Sequence, residues 1–260
     1  MNLDYIEVEV INAASQICIM TINRPEVKNA LNSQVVEQLT QLIKKLEQET
    51  STRVVILQGK HENFAAGADI KEMLHAEKAE IDMISEHVHE LHKRMSTSPI
   101  IFIAAIEGYC LGGGFELALA SDIRIASPKA VFGLPEVKLG ILPGGWGTQK
   151  FQSLANNSFA MKYLLTGDFL DAEKALSFGL ISEVVNDPFQ ESLKTAEKIA
   201  ANSFHAVRAI KGLLTGIEYS ILEERLELER TAFKQLFIEG EAREGLLAFA
   251  EKRKPNFKRS

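Results

Sequence analysis

The chain has 260 residues, 46% of them hydrophobic and 25% charged, which suffices for one large domain or a domain with an appendage. A formal net charge of −6 argues against a role that depends on neutralising nucleic-acid phosphates. The cysteines, Cys18 and Cys110, do not suggest a disulfide framework and are typical of a reducing compartment. We find no signal-peptide pattern and no apolar run of membrane-spanning length, and therefore expect a cytoplasmic protein with no membrane partner.

The start of the chain predicts strands that alternate with a helix. Residues 6–10 and 17–22 have the alternation of strands, and residues 12–15 are expected to form the turn between them. Apolar side chains at helical spacing predict a helix after Ser33, and residues 54–57 form the next apolar strand. This order of elements indicates an α/β architecture.

Small residues fill a strand-to-helix turn at residues 63–72. Asp69, followed three positions later by Glu72, predicts a capping box, so a helix should begin near Ile70 and run to about Met95. At such a turn the backbone faces outward, which either close packing or a functional site would explain.

Three histidines, His87, His89 and His92, lie on this predicted helix. Successive helical residues are rotated by about 100°, so the three side chains do not share one face as metal ligands would. We interpret them as partly exposed helix residues and predict no metal site.

The middle of the chain contains three consecutive glycines, Gly112–Gly114, between an apolar strand at 100–106 and a short helix at 115–121. Glycine allows unusual dihedrals and close approach of a ligand, and the first amides of a helix have no internal partner. Glu116 lies in the first turn beside these donors. The pattern suits a site that stabilises an anion and moves a proton, although a tightly packed turn with a solvated Glu116 would have the same sequence.

A strand at 123–126 is followed by a segment rich in glycine and proline at 132–149. Glu136 has apolar neighbours in this segment; if it is buried its pKa should be raised, as a general acid requires, and otherwise it is an ordinary loop residue. Gly144 opens a further helix, whose first amides could orient a water or a carbonyl.

Beyond Pro188 the pattern is entirely helical, so we place a domain boundary near residue 190, with a catalytic core at 1–190 and a helical region at 191–260. An apolar face in this region needs to be covered by the core or by another subunit. Helices are predicted at 190–202, 206–216, 221–239 and 241–252, and the apolar face comprises Leu222, Leu226, Phe233, Leu236 and Phe237.

Several segments, in this order, resemble the crotonase (enoyl-CoA hydratase/isomerase) superfamily, and the resemblance extends over essentially the whole chain. Because several motifs occur in the right order, the resemblance is highly specific to the superfamily. The segments are residues 23–25, 29–31, 64–73, 108–118, 135–144, 147–149, 165–168, 179–181 and 249–257.

The resemblance implies an α/β fold, a spiral of ββα turns followed by a C-terminal helical trimerisation region, and hence homotrimers or homohexamers. It implies an acyl-CoA thioester as substrate and no metal or redox cofactor. By position in the matched motifs, the backbone amides of Ala68 and Gly113 would form an oxyanion hole. Glu116 would activate the water that adds at C3, and Glu136 would deliver the proton to C2.

The same resemblance implies a set of substrate-binding residues around this centre. Two of them, Phe233 and Lys252, match positions near the CoA and are expected to come from a neighbouring subunit. The set is Ala68, Asp69, Ile70, Lys71, Gly113, Gly144, Phe233 and Lys252.

The presence of both glutamates resembles hydratases, especially short-chain enoyl-CoA hydratases, more than isomerases or dehalogenases. Trp146 departs from the hydratase pattern, which has a small residue there; its ring either reshapes the acyl pocket or packs on a helix. The rival activities are hydration of a branched or acidic acyl-CoA, such as a methylglutaconyl-CoA-like substrate, and Δ3-Δ2 isomerisation. An RNA-binding member of the superfamily is disfavoured by the acidic charge balance. A dinucleotide-binding site is disfavoured because Leu117 replaces the last glycine of G-x-G-x-x-G.

Overall fold

The structure is a computed structural model, and it describes residues 3–11, 16–49, 51–239 and 241–257. The structure does not describe the side chains of Lys78, residues 216–222 and Glu239. The predicted turn at residues 12–15 and the side chain of Leu222 therefore lie outside the described residues.

Within these ranges the chain forms nine strands and ten α-helices, together with two short 3-10 helices at Pro25–Val27 and Pro135–Leu139. The strands are β1 (Ile6–Ile11), β2 (Ile17–Ile22), β3 (Val54–Gly59), β4 (Ile101–Ile106), β5 (Tyr109–Leu111), β6 (Ile123–Ala126), β7 (Val131–Gly133), β8 (Leu170–Asp171) and β9 (Glu183–Val184). The helices are α1 (Ser33–Glu49), α2 (Ile70–His75), α3 (Lys78–Thr97), α4 (Gly113–Ala120), α5 (Gly147–Leu154), α6 (Asn157–Thr166), α7 (Ala172–Ser177), α8 (Pro188–Ala200), α9 (Phe204–Glu239) and α10 (Glu241–Ala250).

The main sheet has six strands in the order β1-β2-β3-β4-β6-β9. Strands β1 and β2 form an antiparallel hairpin, and every later neighbour pairs in parallel. A second sheet has the order β5-β7-β8. Helical crossovers join the parallel neighbours of the main sheet, as parallel pairing requires, and the predicted α/β class is confirmed.

Both faces of the main sheet are buried, which explains why its strands have nearly continuous apolar sequences. Side chains of alternate residues point to opposite faces. On one face Met20 and Leu57 belong to a core that includes residues of α1, α3 and α4. On the other face Ile19 and Ile56 pack with Ala196 of α8. The helix that follows the predicted boundary near residue 190 thus packs on the sheet, while the boundary itself stays a prediction.

Two helix predictions were wrong in their extent. The helix expected from Ile70 to about Met95 is two helices, α2 and α3, because Glu77 caps the second one in a capping box with Glu80. The helices expected at 206–216 and 221–239 form the single helix α9. Apolar periodicity continues across both regions, so periodicity alone does not locate these helix ends.

The capping box predicted between Asp69 and Glu72 is half right. Asp69 is the N-cap of α2, and its side chain accepts a hydrogen bond from the amide of Lys71 at 3.1 Å. Glu72 instead accepts from the amide of Ser33 at 3.0 Å and so caps α1. The reason is that the amide of Asp69 already donates to the carbonyl of Leu31.

No α-helix in the described ranges is both long enough and apolar enough to cross a lipid bilayer.

Candidate active site

The two strand-to-helix turns of the sequence analysis lie side by side. Ala65, in the first turn, pairs with Cys110 of β5, and its carbonyl accepts from the amide of Leu111 at 3.0 Å. A Cβ atom at Gly114 would lie 2.3 Å from the carbonyl oxygen of Ala65, so only glycine permits this approach. Gly112 has a φ of +49°, a backbone conformation that residues other than glycine seldom adopt.

This packing brings Ala68 and Gly113 together. A Cβ atom built on Gly113 would lie 3.6 Å from the amide nitrogen of Ala68 and 4.0 Å from Oε2 of Glu116. Neither of the two amides donates a hydrogen bond within the described part of the chain. The amide of Gly113 is also the first of helix α4, where the helix dipole favours negative charge. Both amides are therefore available as donors to one external oxygen atom.

Glu116 lies on the buried face of α4 and is 5% exposed. Its Oε1 accepts hydrogen bonds from the amides of Gly145 and Gly147, each at 2.8 Å. Burial raises the pKa of Glu116 to about 7, although the two hydrogen bonds act in the opposite direction. The carboxyl group is thus held in place and titrates close to neutral pH.

Glu136 lies in the 3-10 helix at 135–139 and is 8% exposed, so it is not an ordinary loop residue. Its Oε1 is 3.1 Å from the position that a Cβ atom on Gly112 would occupy, which places it beside the same turn. Burial, followed by the negative charges of Glu116 and Glu229, raises the pKa of Glu136 well above its usual value. This shift favours the protonated form of Glu136, from which a proton can be donated.

These groups line one cavity of about 500 Å³. The cavity also contacts the lysines Lys28 and Lys138, and its wall is otherwise mostly apolar. Apolar residues of the wall include Leu31, Val36, Ile70, Met73, Ile84, Val88, Leu91, Leu139, Ile141, Leu142 and Phe233.

The remaining residues of the predicted substrate-binding set are placed differently. Asp69 and Ile70 line the cavity, and Asp69 also forms an ion pair with Arg24 at 2.9 Å. Lys71 is exposed and lines an adjacent cleft with Glu72.

Gly144 and Phe233 are brought together at the cavity. A Cβ atom on Gly144 would lie 2.6 Å from the ring of Phe233, so the ring packs directly on the glycine backbone. Phe233 was expected to come from a neighbouring subunit, but here it lines the cavity of its own chain. Lys252 is exposed and does not line this cavity, and its substrate-binding role stays a prediction.

Sequence analysis missed the histidines that hold the turn after Gly144. His89 Nε2 donates to the carbonyl of Gly144 and His92 Nδ1 to the carbonyl of Gly145, each at 2.8 Å. Burial lowers the pKa of His89, and it lowers that of His92 to about 3. His92 is 1% exposed, so its interpretation as a partly exposed residue was wrong. Only its i, i+3 spacing from His89 indicates a shared face.

Trp146 is 3% exposed and packs edge-on against the rings of His89 and His92, at centroid distances of 6.4 and 6.2 Å. It forms a small buried cluster with Leu226 of α9 and does not line the cavity. Of the two interpretations of this residue, packing against helices is the one that the structure supports.

The site is that of an enzyme that stabilises negative charge on a carbonyl oxygen and transfers protons. Two adjacent amide donors can stabilise negative charge on one carbonyl oxygen, and two buried carboxyl groups beside them can transfer protons. No group of three potential metal ligands occurs among the residues that the structure describes.

Comparisons with known proteins identify the family. The sequence model of the family described as enoyl-CoA hydratase/isomerase matches residues 12–260. A mitochondrial enoyl-CoA hydratase of Pongo abelii is 36% identical over 99% of this chain and 89% of that protein. A 2,3-dehydroadipyl-CoA hydratase of Escherichia coli is 36% identical over 96% of this chain and 98% of that protein. The protein belongs to the enoyl-CoA hydratase/isomerase family.

Solved structures show the same fold. The crystal structure of an enoyl-CoA hydratase from Bacillus anthracis matches with a TM-score of 0.79 and 34% identity, covering 98% of this chain and 99% of that one. The crotonase-like architecture expected from the sequence is thereby confirmed.

Proposed function

We propose that the protein is an enoyl-CoA hydratase, which adds water reversibly across the C2=C3 bond of a trans-2-enoyl-CoA to form a 3-hydroxyacyl-CoA. The observation that carries the proposal is that Ala68, Gly113, Glu116 and Glu136 all line one cavity. The relatives named as hydratases support it.

In this proposal the amides of Ala68 and Gly113 bind the thioester oxygen. Glu116, as carboxylate, accepts a proton from water while the water oxygen forms a bond to C3. The π electrons of C2=C3 move to the thioester oxygen as an enolate, which the two amides stabilise. Glu136 then transfers its proton to C2, and the reverse sequence eliminates water.

The cavity supports an acyl-CoA as substrate. Its mostly apolar wall suits a hydrocarbon acyl chain, and Lys28 and Lys138 provide positive charge that suits the phosphates of coenzyme A. Coenzyme A enters as part of the substrate, and the proposed mechanism uses no other cofactor. The reaction belongs to fatty acid β-oxidation or a related acyl-CoA degradation.

A second candidate is hydration of an acidic or branched acyl-CoA. The Escherichia coli relative is named for 2,3-dehydroadipyl-CoA, whose acyl group ends in a carboxylate, and it is as similar to this chain as the mitochondrial hydratase is.

The expected oligomer is a homotrimer or homohexamer. Large apolar side chains exposed on α9, including Leu213 and Leu214 at 69% and 71% exposure, support association with other copies. A cytoplasmic location stays a prediction.

The test is a panel of purified 2-enoyl-CoA thioesters with short, long, branched and ω-carboxyl acyl chains. Hydration removes the absorbance of the conjugated thioester, so initial rates are read directly. We expect turnover of crotonyl-CoA, and the ratio of kcat/KM values across the panel identifies the preferred acyl group. Absence of turnover with every 2-enoyl-CoA, alongside double-bond migration in a 3-enoyl-CoA, would instead show an isomerase.

A further inference from the structure

A third buried carboxylate approaches the site from the C-terminal helices. Glu229 of α9 is 5% exposed. Its Oε1 accepts a hydrogen bond from the amide of Trp146 at 2.7 Å, and its Oε2 accepts from the amide of Thr148 at 2.9 Å. The hydroxyl of Thr148 also donates to Oε2. Glu229 therefore binds the turn at residues 144–148 through two of its backbone amides.

Two further amides of this turn bind Glu116. The amides of Gly145 and Gly147 donate to Glu116 Oε1, so consecutive amides point alternately at α4 and at α9. The turn packs tightly against Glu116, because a Cβ atom on Gly147 would lie 2.6 Å from Oε1 of Glu116. A change in the turn on the α9 side must therefore change the hydrogen bonds of Glu116.

The conformation of the turn is one that its sequence does not favour. Trp146 has a φ of +76°, in the left-handed region that non-glycine residues seldom adopt. The surrounding contacts hold it there: Glu229 at the Trp146 amide, and His89 and His92 at the carbonyls of the two preceding residues. Of these contacts, Glu229 is the one that α9 provides.

We propose that Glu229 is a positioning residue for hydration: it holds the turn at residues 144–148 in the conformation whose alternate amides bind Glu116. This inference rests on the proposed function, because it assigns Glu229 its effect through the water-activating role of Glu116. Through Glu229, α9 and hence the helical C-terminal region contribute to the geometry of the active site.

The surroundings of Glu229 determine how its loss would alter the pH dependence. For Glu116 the loss of Glu229 has two opposite effects: weaker bonds from the amides of Gly145 and Gly147 raise its pKa, and removal of the neighbouring negative charge lowers it. The charge of Glu229 raises the pKa of Glu136, so neutralising it lowers that pKa. The titratable groups that face Glu229 are His89 of α3, whose Nε2 lies 3.9 Å from Oε1 of Glu229, and the carboxyl groups of Glu116 and Glu136.

The test compares Glu229→Gln with Glu224→Gln, a control at an exposed glutamate of the same helix. A glutamine at 229 keeps one acceptor oxygen but turns an NH₂ group toward the amide of Trp146 or Thr148, two donors that cannot bond each other. We expect kcat of Glu229→Gln to fall by about 10²-fold with KM little changed. The basic limb of the kcat profile, which Glu136 sets, should move to lower pH because the negative charge of Glu229 raises the pKa of Glu136. Glu224→Gln should match the wild type in all of these.

A double-variant cycle separates positioning from general destabilisation. In a Glu116→Gln background, adding Glu229→Gln should cause little further loss, because both changes disable the same step. Glu229→Asp, which keeps the charge and is the safer variant for folding, should recover part of the rate. Additive losses, or an unshifted pH profile in the folded Glu229→Gln protein, would overturn the inference.

Hydrogen exchange of the segment 143–150 provides a readout that needs no turnover. Exchange there should be faster in Glu229→Gln than in wild type or Glu224→Gln, and unchanged exchange would show that Glu229 does not hold the turn. If the wild-type protein hydrates no thioester, the proposed function fails, and the role of Glu229 in hydration fails with it. If the wild-type protein hydrates normally and the Glu229 variants have the same rates and hydrogen exchange, the positioning role alone is contradicted.

Discussion

Single residues acquire their chemistry here from burial and from the donors around them. Glu116 has two amide donors on one carboxylate oxygen, whereas Oε2 of Glu136 has no hydrogen-bond partner among the described residues. Because donors stabilise the ionised form, the proton is held more tightly on Glu136. Two identical side chains thereby suit the different roles of base and acid.

The first prediction concerns this pair. Glu116→Gln and Glu136→Gln should each lower kcat for a 2-enoyl-CoA by about 10² to 10⁴-fold, since each removes one proton-transfer group. Steady-state rates and thermal melting by circular dichroism, with exposed Glu173→Gln as control, separate lost chemistry from lost folding. Near-wild-type rates in either folded variant would reject its assigned role.

The pH dependence of kcat/KM follows from the raised pKa values of Glu116 and Glu136. Burial raises the pKa of Glu116 to about 7 and raises the pKa of Glu136 well above its usual value. Hydration needs Glu116 ionised and Glu136 protonated, so kcat/KM should fall as pH drops below about 7 and fall again at alkaline pH. In Glu116→Gln, the profile of kcat/KM against pH should no longer show the fall in rate on the acid side. An acid limb that persists there would assign it to another group.

At the scale of elements, the site depends on turns that place backbone groups. The glycines after β5 have separate uses: Gly112 adopts a positive φ, Gly113 presents its amide, and Gly114 admits the carbonyl of Ala65. Both interpretations of the glycine run, tight packing and a ligand-facing backbone, therefore apply, each to a different glycine.

Gly113→Pro should abolish turnover by removing one donor amide, a loss of about 10² to 10³-fold in rate when only the donor is involved. Gly113→Ala keeps the amide and adds a methyl group at ordinary contact distance from Ala68 and Leu31. Its rate should lie between those of wild type and Gly113→Pro when both are assayed at matched thermal stability. Retained activity in Gly113→Pro would show that this amide is not needed.

At the scale of the molecule, exposed apolar surface on α9 is the feature that a single chain does not explain. Leu213 and Leu214, at 69% and 71% exposure, lie on the same helix as the buried Phe233 and Glu229. A helix with one part in the active site and another part apolar and exposed is suited to association with other subunits.

We therefore expect a particle of three or six chains of 28.8 kDa by light scattering after size exclusion. The double variant Leu213→Glu/Leu214→Glu should shift it toward the monomer, because charges at a buried interface are costly to desolvate. Leu176→Glu, at a 37% exposed leucine of α7, is the control. A wild-type monomer at micromolar concentration, or an unchanged mass in the double variant, would contradict the expectation.

The sequence by itself determined the α/β class, most of the strands, the family resemblance and the choice of Glu116, Glu136, Ala68 and Gly113. These follow from local patterns: apolar runs, glycine turns and motifs in order. Tertiary structure alone decided that Glu72 caps α1, that His92 and Trp146 are buried behind the site, and that Glu229 binds the turn beside Glu116. Each of these partners lies far away along the chain, and no local propensity encodes which distant backbone amide a buried side chain will meet.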